Sequence, residues 1–240
     1  MNRDPKRGEG QASDEGSVFT RARARMVARD IASRGVSDPD VLRAMRTVPR
    51  ERFIPSELAE FAYENHPLPI AEEQTISQPY IVALMAEAAE VGPRDRVLEV
   101  GAGSGYGAAV LSRIAAEVWT IERHRALADN ARRMLEELGY HNAHVVWGDG
   151  TLGYPDAAPF DAIVVTAGAV QIPEALLEQL IDGGRRVIPV GPTSRQQRLL
   201  RIRRDGDTFN REDFGPVRFV SLVGDADEKR AFPKRQSTRE

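Results

Sequence analysis

Apolar residues recur along this chain at two different spacings, and the change falls near residue 93. Between Ser17 and Asn65, Met26, Val27 and Ile31 and then Val41, Leu42 and Met45 return every three or four positions among charges, the period of a helix with one buried face. Ser37-Asp38-Pro39 offers a cap followed by a first-turn proline, so a helix is expected to start there, and Pro49 and Pro55 punctuate the stretch after it. Another helix is predicted from Pro79 to Glu90, with Ile81, Val82, Met85 and Ala88 on one face and Gly92-Pro93 ending it. Such short one-sided helices must lean on something larger.

From Asp95 onward the rhythm is different. The apolar runs RVLEV, EVWTIE, HVVW, DAIVVT and RRVIPV alternate with YGAAVLSRIAA, ALADNARRMLEELG and IPEALLEQLIDGG, which have helical spacing and glycine endings. That alternation predicts a parallel sheet covered by helices on both faces. RLLRIRR and VRFVSLV, lying after the last run around Asp205-Gly206, are expected to pair antiparallel and close one edge. The expected class is α/β: a Rossmann-like, doubly wound, mostly parallel sheet with an antiparallel edge strand and N-terminal helices packed on the core. Without repeats or a long linker, residues 17–224 form one expected domain, helical over 17–92 and α/β over 93–224.

Composition narrows the chemistry. Of 240 residues, 41% are hydrophobic and 29% charged, an ordinary globular balance. The net charge of -3 argues against holding nucleic acid by bulk electrostatics, and the arginine clusters at 21–25 and 201–204 read as solvated faces. Cysteine is absent, which removes disulfides, thiolate catalysis and cysteine-ligated metals; the four histidines, His66, His124, His141 and His144, lack HExxH spacing, so no metal is expected. No apolar run is long enough for a membrane span, and the charged start MNRDPKRGEGQASDEG is no signal peptide. Residues 1–16 are expected to be a disordered leader, residues 225–240 a flexible tail, and the chain a cytoplasmic monomer.

The strand RVLEV runs directly into Gly101-Ala102-Gly103-Ser104-Gly105-Tyr106-Gly107 and then a helix, the way an open α/β sheet holds a nucleotide-like ligand. The dinucleotide fingerprint would need glycine where Tyr106 stands, and no GK[ST] comes after it, so a ligand without phosphates is expected. About 20 residues on, Glu122 closes the second strand, where a carboxylate can accept both hydroxyls of a ribose. Asp149, in WGDGT, ends the third strand and could accept from an adenine amino group. Each has a plainer alternative: Glu122 as a helix N-terminal acid, Asp149 as an Asp-Gly turn. Together with the glycine turn they favour a methyl-donor nucleoside.

These residues resemble the class I S-adenosylmethionine-dependent methyltransferases. QTISQPYIVALM, VLEVGAGSGYGAAVL, WGDGT, FDAIVVTAGA, IPEALLEQL and RVIPVG together resemble, more narrowly, the protein-L-isoaspartate O-methyltransferase family, across nearly all of residues 22–224. The resemblance implies S-adenosylmethionine as cofactor and methyl transfer to the α-carboxylate of L-isoaspartyl residues in damaged proteins, whose ester then collapses to a succinimide. It implies Ser77 as the catalytic position, its hydroxyl orienting one carboxylate oxygen, with Thr75 and the backbone from Ile76 to Gln78 as a wall between donor and acceptor and with Thr75, Ile76 and Ser77 also touching the donor. For donor contacts it implies Glu99, Gly101, Ala102, Gly103, Ser104 and Tyr106 from the first motif. Glu122, Arg123, Gly148, Asp149, Gly150 and Thr166 complete them. A carboxylate with a pKa near 4 is ionised at neutral pH, so QTISQP needs no base.

Ser77 has its own plainer reading, as a cap for the helix beginning near Pro79. Ala71 and Glu73 stand where the family commonly has glycine, and Ser221 where proline is frequent. The alternatives are a methyltransferase with another acceptor and a donor-binding interaction module without catalysis.

Overall fold

A computed structural model describes residues 9–224. Helix α1 (Glu9–Met26) runs into a π-helical turn at Val27–Ile31 and a 3-10 turn ending at Gly35. Helix α2 (Pro39–Thr47) starts as expected: the Asp38 carboxylate accepts from the N–H groups of Asp40 and Val41 at 2.8 and 3.0 Å, and proline takes the first turn. Two 3-10 turns, Arg50–Phe53 and Ser56–Phe61, lead to a small hairpin of β1 (Leu68–Pro69) and β2 (Thr75–Ile76), followed by α3 (Pro79–Ala88).

The rest is the sheet and its cover: β3 (Arg96–Val100), α4 (Tyr106–Ser112), β4 (Glu117–Glu122), α5 (Arg125–Glu137), β5 (Ala143–Trp147), β6 (Phe160–Val165), α6 (Ala175–Glu178), β7 (Leu180–Val190), β8 (Gln197–Asp205) and β9 (Thr208–Val217). Seven strands lie in the order β5-β4-β3-β6-β7-β8-β9, the first five parallel, with β8 antiparallel to β7 and β9 antiparallel to β8. Strand β3 is flanked by β4 on one side and β6 on the other, so the chain reverses direction across the sheet there. A crevice opens at the carboxyl end of β3 for that reason.

Residues alternate across the sheet. Val97, Ala162, Val164 and Val187 face the layer holding α3, α4 and the N-terminal helices. Leu98, Val100, Ile163, Val165 and Ile188 face a second core with Phe160, Leu176 and Leu180. The first face is thickly covered. The second carries one short helix and several turns. No described helix is long and apolar enough to cross a membrane.

Helix α1 begins at Glu9, within the stretch expected as a leader; residues 1–8 and the expected tail at 225–240 lie outside the described residues. Two expectations need correction. IPEALLEQLIDGG is helical only over Ala175–Glu178, since Leu180 already pairs with Phe160, Gly183 sits at φ 75° and the register shifts beyond that pair. Finally, the partner of RLLRIRR is TFNREDFGPV, a β9 whose side chains are largely exposed. VRFVSLV is apolar because Phe219 enters the core and the segment crosses the carboxyl ends of the strands, where Gly168 N–H donates to Val220 O at 2.8 Å and Leu222 N–H to Gly168 O at 2.8 Å.

Candidate active site

At the end of β3 the N–H groups of Gly101 and Ala102 both reach Ile121 O, at 2.8 and 3.1 Å, folding the turn against β4. Gly101 has φ 100°, and a Cβ there would strike the Thr166 hydroxyl, which lies 2.7 Å from Gly101 O and 3.0 Å from Val100 O. The Glu122 carboxylate is buried and accepts from Gly103 N–H and His124 N–H, each at 2.9 Å. It therefore fastens the glycine turn to the β4–α5 connection, and α5 itself begins three residues later, so Glu122 is more than a first-turn acid. Each oxygen retains room for a second donor.

Glu99, one residue before the strand's end, is 1% exposed. Burial chiefly, with the Glu122 charge adding, pushes its carboxyl up to about 8, while the Thr120 hydroxyl at 2.6 Å and the Ala108 N–H pull the other way. A Cβ on Gly107 would collide with that carboxylate, so a larger residue there requires Glu99 to shift.

A cavity of about 330 Å³ opens above these groups. Thr75, Ile76 and Ser77 border it from the hairpin side, and Glu99, Gly101, Ala102, Gly103, Ser104 and Tyr106 from the β3–α4 turn. Glu122, Arg123, Gly150 and Thr166 complete the expected set that the structure brings together. Gly148 and Asp149 do not border it. Gly148 N–H donates to Glu122 O at 3.0 Å, and Asp149 Oδ1 accepts from the Thr151 N–H and hydroxyl at 2.9 and 2.7 Å, capping a 3-10 turn. Asp149 thus takes part in its turn, and Gly150 of the three borders the cavity.

Tyr106 borders the cavity by its place at the start of α4. Its ring is 1% exposed, edge-on to Phe53 with centroids 5.8 Å apart, and its hydroxyl points at Met45 Sδ, 3.7 Å away; burial raises its pKa to about 12. The phenol therefore belongs to the core.

Ser77 is not the cap of α3. Gln78 holds that position without a side-chain capping bond, and the Ser77 hydroxyl makes no hydrogen bond among the described residues. The amides flanking it anchor the loop instead: Gln78 Nε2 donates to Asn65 O at 2.6 Å and Gln74 Nε2 to Glu72 O at 3.0 Å. Upstream, Gln74 N–H closes a turn on Ala71 O at 3.1 Å with Glu72 and Glu73 at φ 57° and 54°. Glu73 thus occupies a left-handed backbone position natural to glycine, whereas Ala71 does not. Glu72 Oε2 lies 3.7 Å from His124 Nδ1.

Sequence reasoning missed part of the lining. Val82 and His124 carried no signal beyond helix periodicity and loop placement, and Val220, Ser221, Leu222 and Val223 were hidden by their likeness to a strand. Gly107 was visible as the last glycine of the turn. Arg50, whose Nη2 donates to Ser77 O at 2.9 Å, gave no sign at all.

Comparison with known proteins agrees with this geometry. A family model described as protein-L-isoaspartate(D-aspartate) O-methyltransferase matches residues 21–227. The protein-L-isoaspartate O-methyltransferase 2 of Pelobacter propionicus is 58% identical over 200 residues, 83% of this chain and 89% of that one. The protein-L-isoaspartate O-methyltransferase of Rhodopseudomonas palustris strain CGA009 is 55% identical over 216 residues, 90% and 99% of the two chains. A solved protein-L-isoaspartate O-methyltransferase superposes with a TM-score of 0.76 at 33% identity, over 84% of this chain and 66% of the other. A Plasmodium falciparum chain with the same family designation, solved in complex with S-adenosyl-L-homocysteine, superposes with a TM-score of 0.72 at 25% identity, over 84% and 98%. With the glycine turn, the buried strand-end glutamate and the QTISQP loop meeting in one cavity, and with a match running through nearly the whole described chain, this protein belongs to the protein-L-isoaspartate(D-aspartate) O-methyltransferase family.

Proposed function

We propose that the protein methylates the free α-carboxylate of L-isoaspartyl residues in damaged proteins and peptides, using S-adenosylmethionine, and so starts their repair through a succinimide. The observation that carries this reading is Ser77, with no capping role, lining the same cavity as the glycine turn and Glu122. The pocket suits the cofactor: bare backbone at Gly101 and Gly103, a buried carboxylate at Glu122 for ribose hydroxyls, and a volume in the range of small-ligand sites. Gly150 and Thr166 would border its nucleoside, with Gly148 and Asp149 in the same turn on its adenine side. When bound, S-adenosylmethionine supplies a methyl group on a sulfonium leaving group.

The protein's own part is geometric. The acceptor carboxylate is already ionised at neutral pH, so no residue has to remove a proton from it. Ser77 Oγ–H donates to one carboxylate oxygen and leaves the other aimed at the methyl. Thr75, Ile76 and Ser77 form the wall where acceptor meets donor and keep water from the path. In this reading residues 17–224 act as one domain in a cytoplasmic monomer, and the partners are isoaspartyl-containing proteins, not nucleic acid or membranes.

The test compares an isoaspartyl peptide with its aspartyl twin in a methyl-transfer assay. Labelling of the isoaspartyl form alone is expected. Transfer to a different acceptor, or donor binding with no transfer to either peptide, would replace the reading.

A further inference from the structure

Beyond the residues that touch the cavity, one side chain joins both of its walls from behind. Arg50 lies in the 3-10 turn after α2 and is 0% exposed. Its Nε donates to Ala62 O at 2.8 Å and its Nη2 to Ser77 O at 2.9 Å. Its guanidinium also sits 4.8 Å from the ring centroid of Tyr106, the residue that opens α4 directly after the glycine turn. Among the described residues no carboxylate pairs with it: the adjacent Glu51 is taken by Arg23 and Tyr63, and Arg50 Nη1 has no partner.

A cation enclosed this way is costly, and burial pulls its pKa down to about 10. Stability alone would favour an apolar side chain of similar size at this place. What the guanidinium uniquely supplies is a rigid planar fork able to hold two carbonyl groups in one plane while stacking on an aromatic face. Holding the Ser77 carbonyl fixes the peptide plane just beyond Ser77, and with it the arc through which the Ser77 hydroxyl can swing. We propose that Arg50 is a positioning residue that locks Ser77 to the donor-binding turn through Tyr106. This rests on the proposed role of Ser77 in methyl transfer.

A double-mutant cycle tests it, with wild type, Arg50→Lys, Ser77→Ala and the double variant assayed on an isoaspartyl peptide, and S-adenosyl-L-homocysteine affinity measured by calorimetry on each. Lysine keeps the charge but loses the fork. The single Arg50→Lys change is expected to lower kcat by roughly 10- to 100-fold, as loss of alignment does, while the affinity for S-adenosyl-L-homocysteine moves by less than about threefold. In the Ser77→Ala background the same change is expected to cost less than about twofold, because the serine through which it acts is gone. Equal losses in both backgrounds, or an affinity that falls as far as kcat, would overturn the proposal. Should Arg50→Lys fail to fold, Arg50→Met replaces it in the same cycle, and loss of ligand binding in both variants also overturns it by making Arg50 a core residue. A wild type inactive on the peptide overturns this proposal together with the function reading. An active wild type with an additive cycle overturns this one alone.

Discussion

Glu122 shows how much one side chain can be asked to do. Its two oxygens already hold the N–H groups of Gly103 and His124, so it orders the loop before any ligand arrives. A ribose would add two further donors to the same carboxylate. Bonds to a charged acceptor contribute roughly 1.5 to 3 kcal/mol each, and about 1.4 kcal/mol is tenfold in affinity. Glu122→Ala is therefore expected to weaken S-adenosyl-L-homocysteine binding by more than tenfold in calorimetry, with Glu122→Gln in between; unchanged affinity would remove Glu122 from the pocket. At this scale Glu122 and Ser77 were legible because a motif surrounds each of them. Arg50 was not, since an arginine in VPRERF looks like any surface charge, and its partners Ser77 and Tyr106 lie far along the chain.

At the scale of elements, the β3–α4 unit stands or falls on one close approach. Gly107 lets the first turn of α4 lie against the Glu99 carboxylate, and a methyl group there has nowhere to go, because the acid is held by Thr120 behind it. Gly107→Ala is expected to cost about 1 to 3 kcal/mol of stability by overpacking, read as a lower urea midpoint, and to reduce donor affinity as the turn shifts. An unchanged midpoint would show that Glu99 can rotate away. This unit was readable in advance, since strand, glycine turn and helix succeed one another within the sequence. The α6–β7 region was not, because Leu176, Leu177, Leu180 and Ile181 repeat at helical spacing although the last two belong to a strand. Strand β9 escaped notice for the opposite reason. As an exposed edge it is held by backbone pairing with β8 and needs no apolar face.

For the whole molecule, Glu99 links folding to pH. Its carboxyl ionises near 4.5 when unfolded and near 8 when folded without ligand, so between those values the folded state holds the extra proton. Stability from this group is therefore full below about pH 4.5 and is lost as pH rises toward 8, at no more than about 1.4 kcal/mol per pH unit. The melting temperature of the ligand-free protein is expected to fall across pH 5 to 8 relative to Glu99→Gln, and parallel curves would assign the slope to other groups. The cavity also has an arrangement along the chain that bears on how it could be altered. Thr75, Ile76 and Ser77 come before the first strand of the large sheet, while most of the nucleoside-side lining lies from Glu99 onward. In the proposed reading the hairpin-side wall and the glycine-turn side of the cavity occupy separate stretches of polypeptide, so a graft ending ahead of Pro79 is expected to exchange the first while leaving the glycine turn and Glu122 in place.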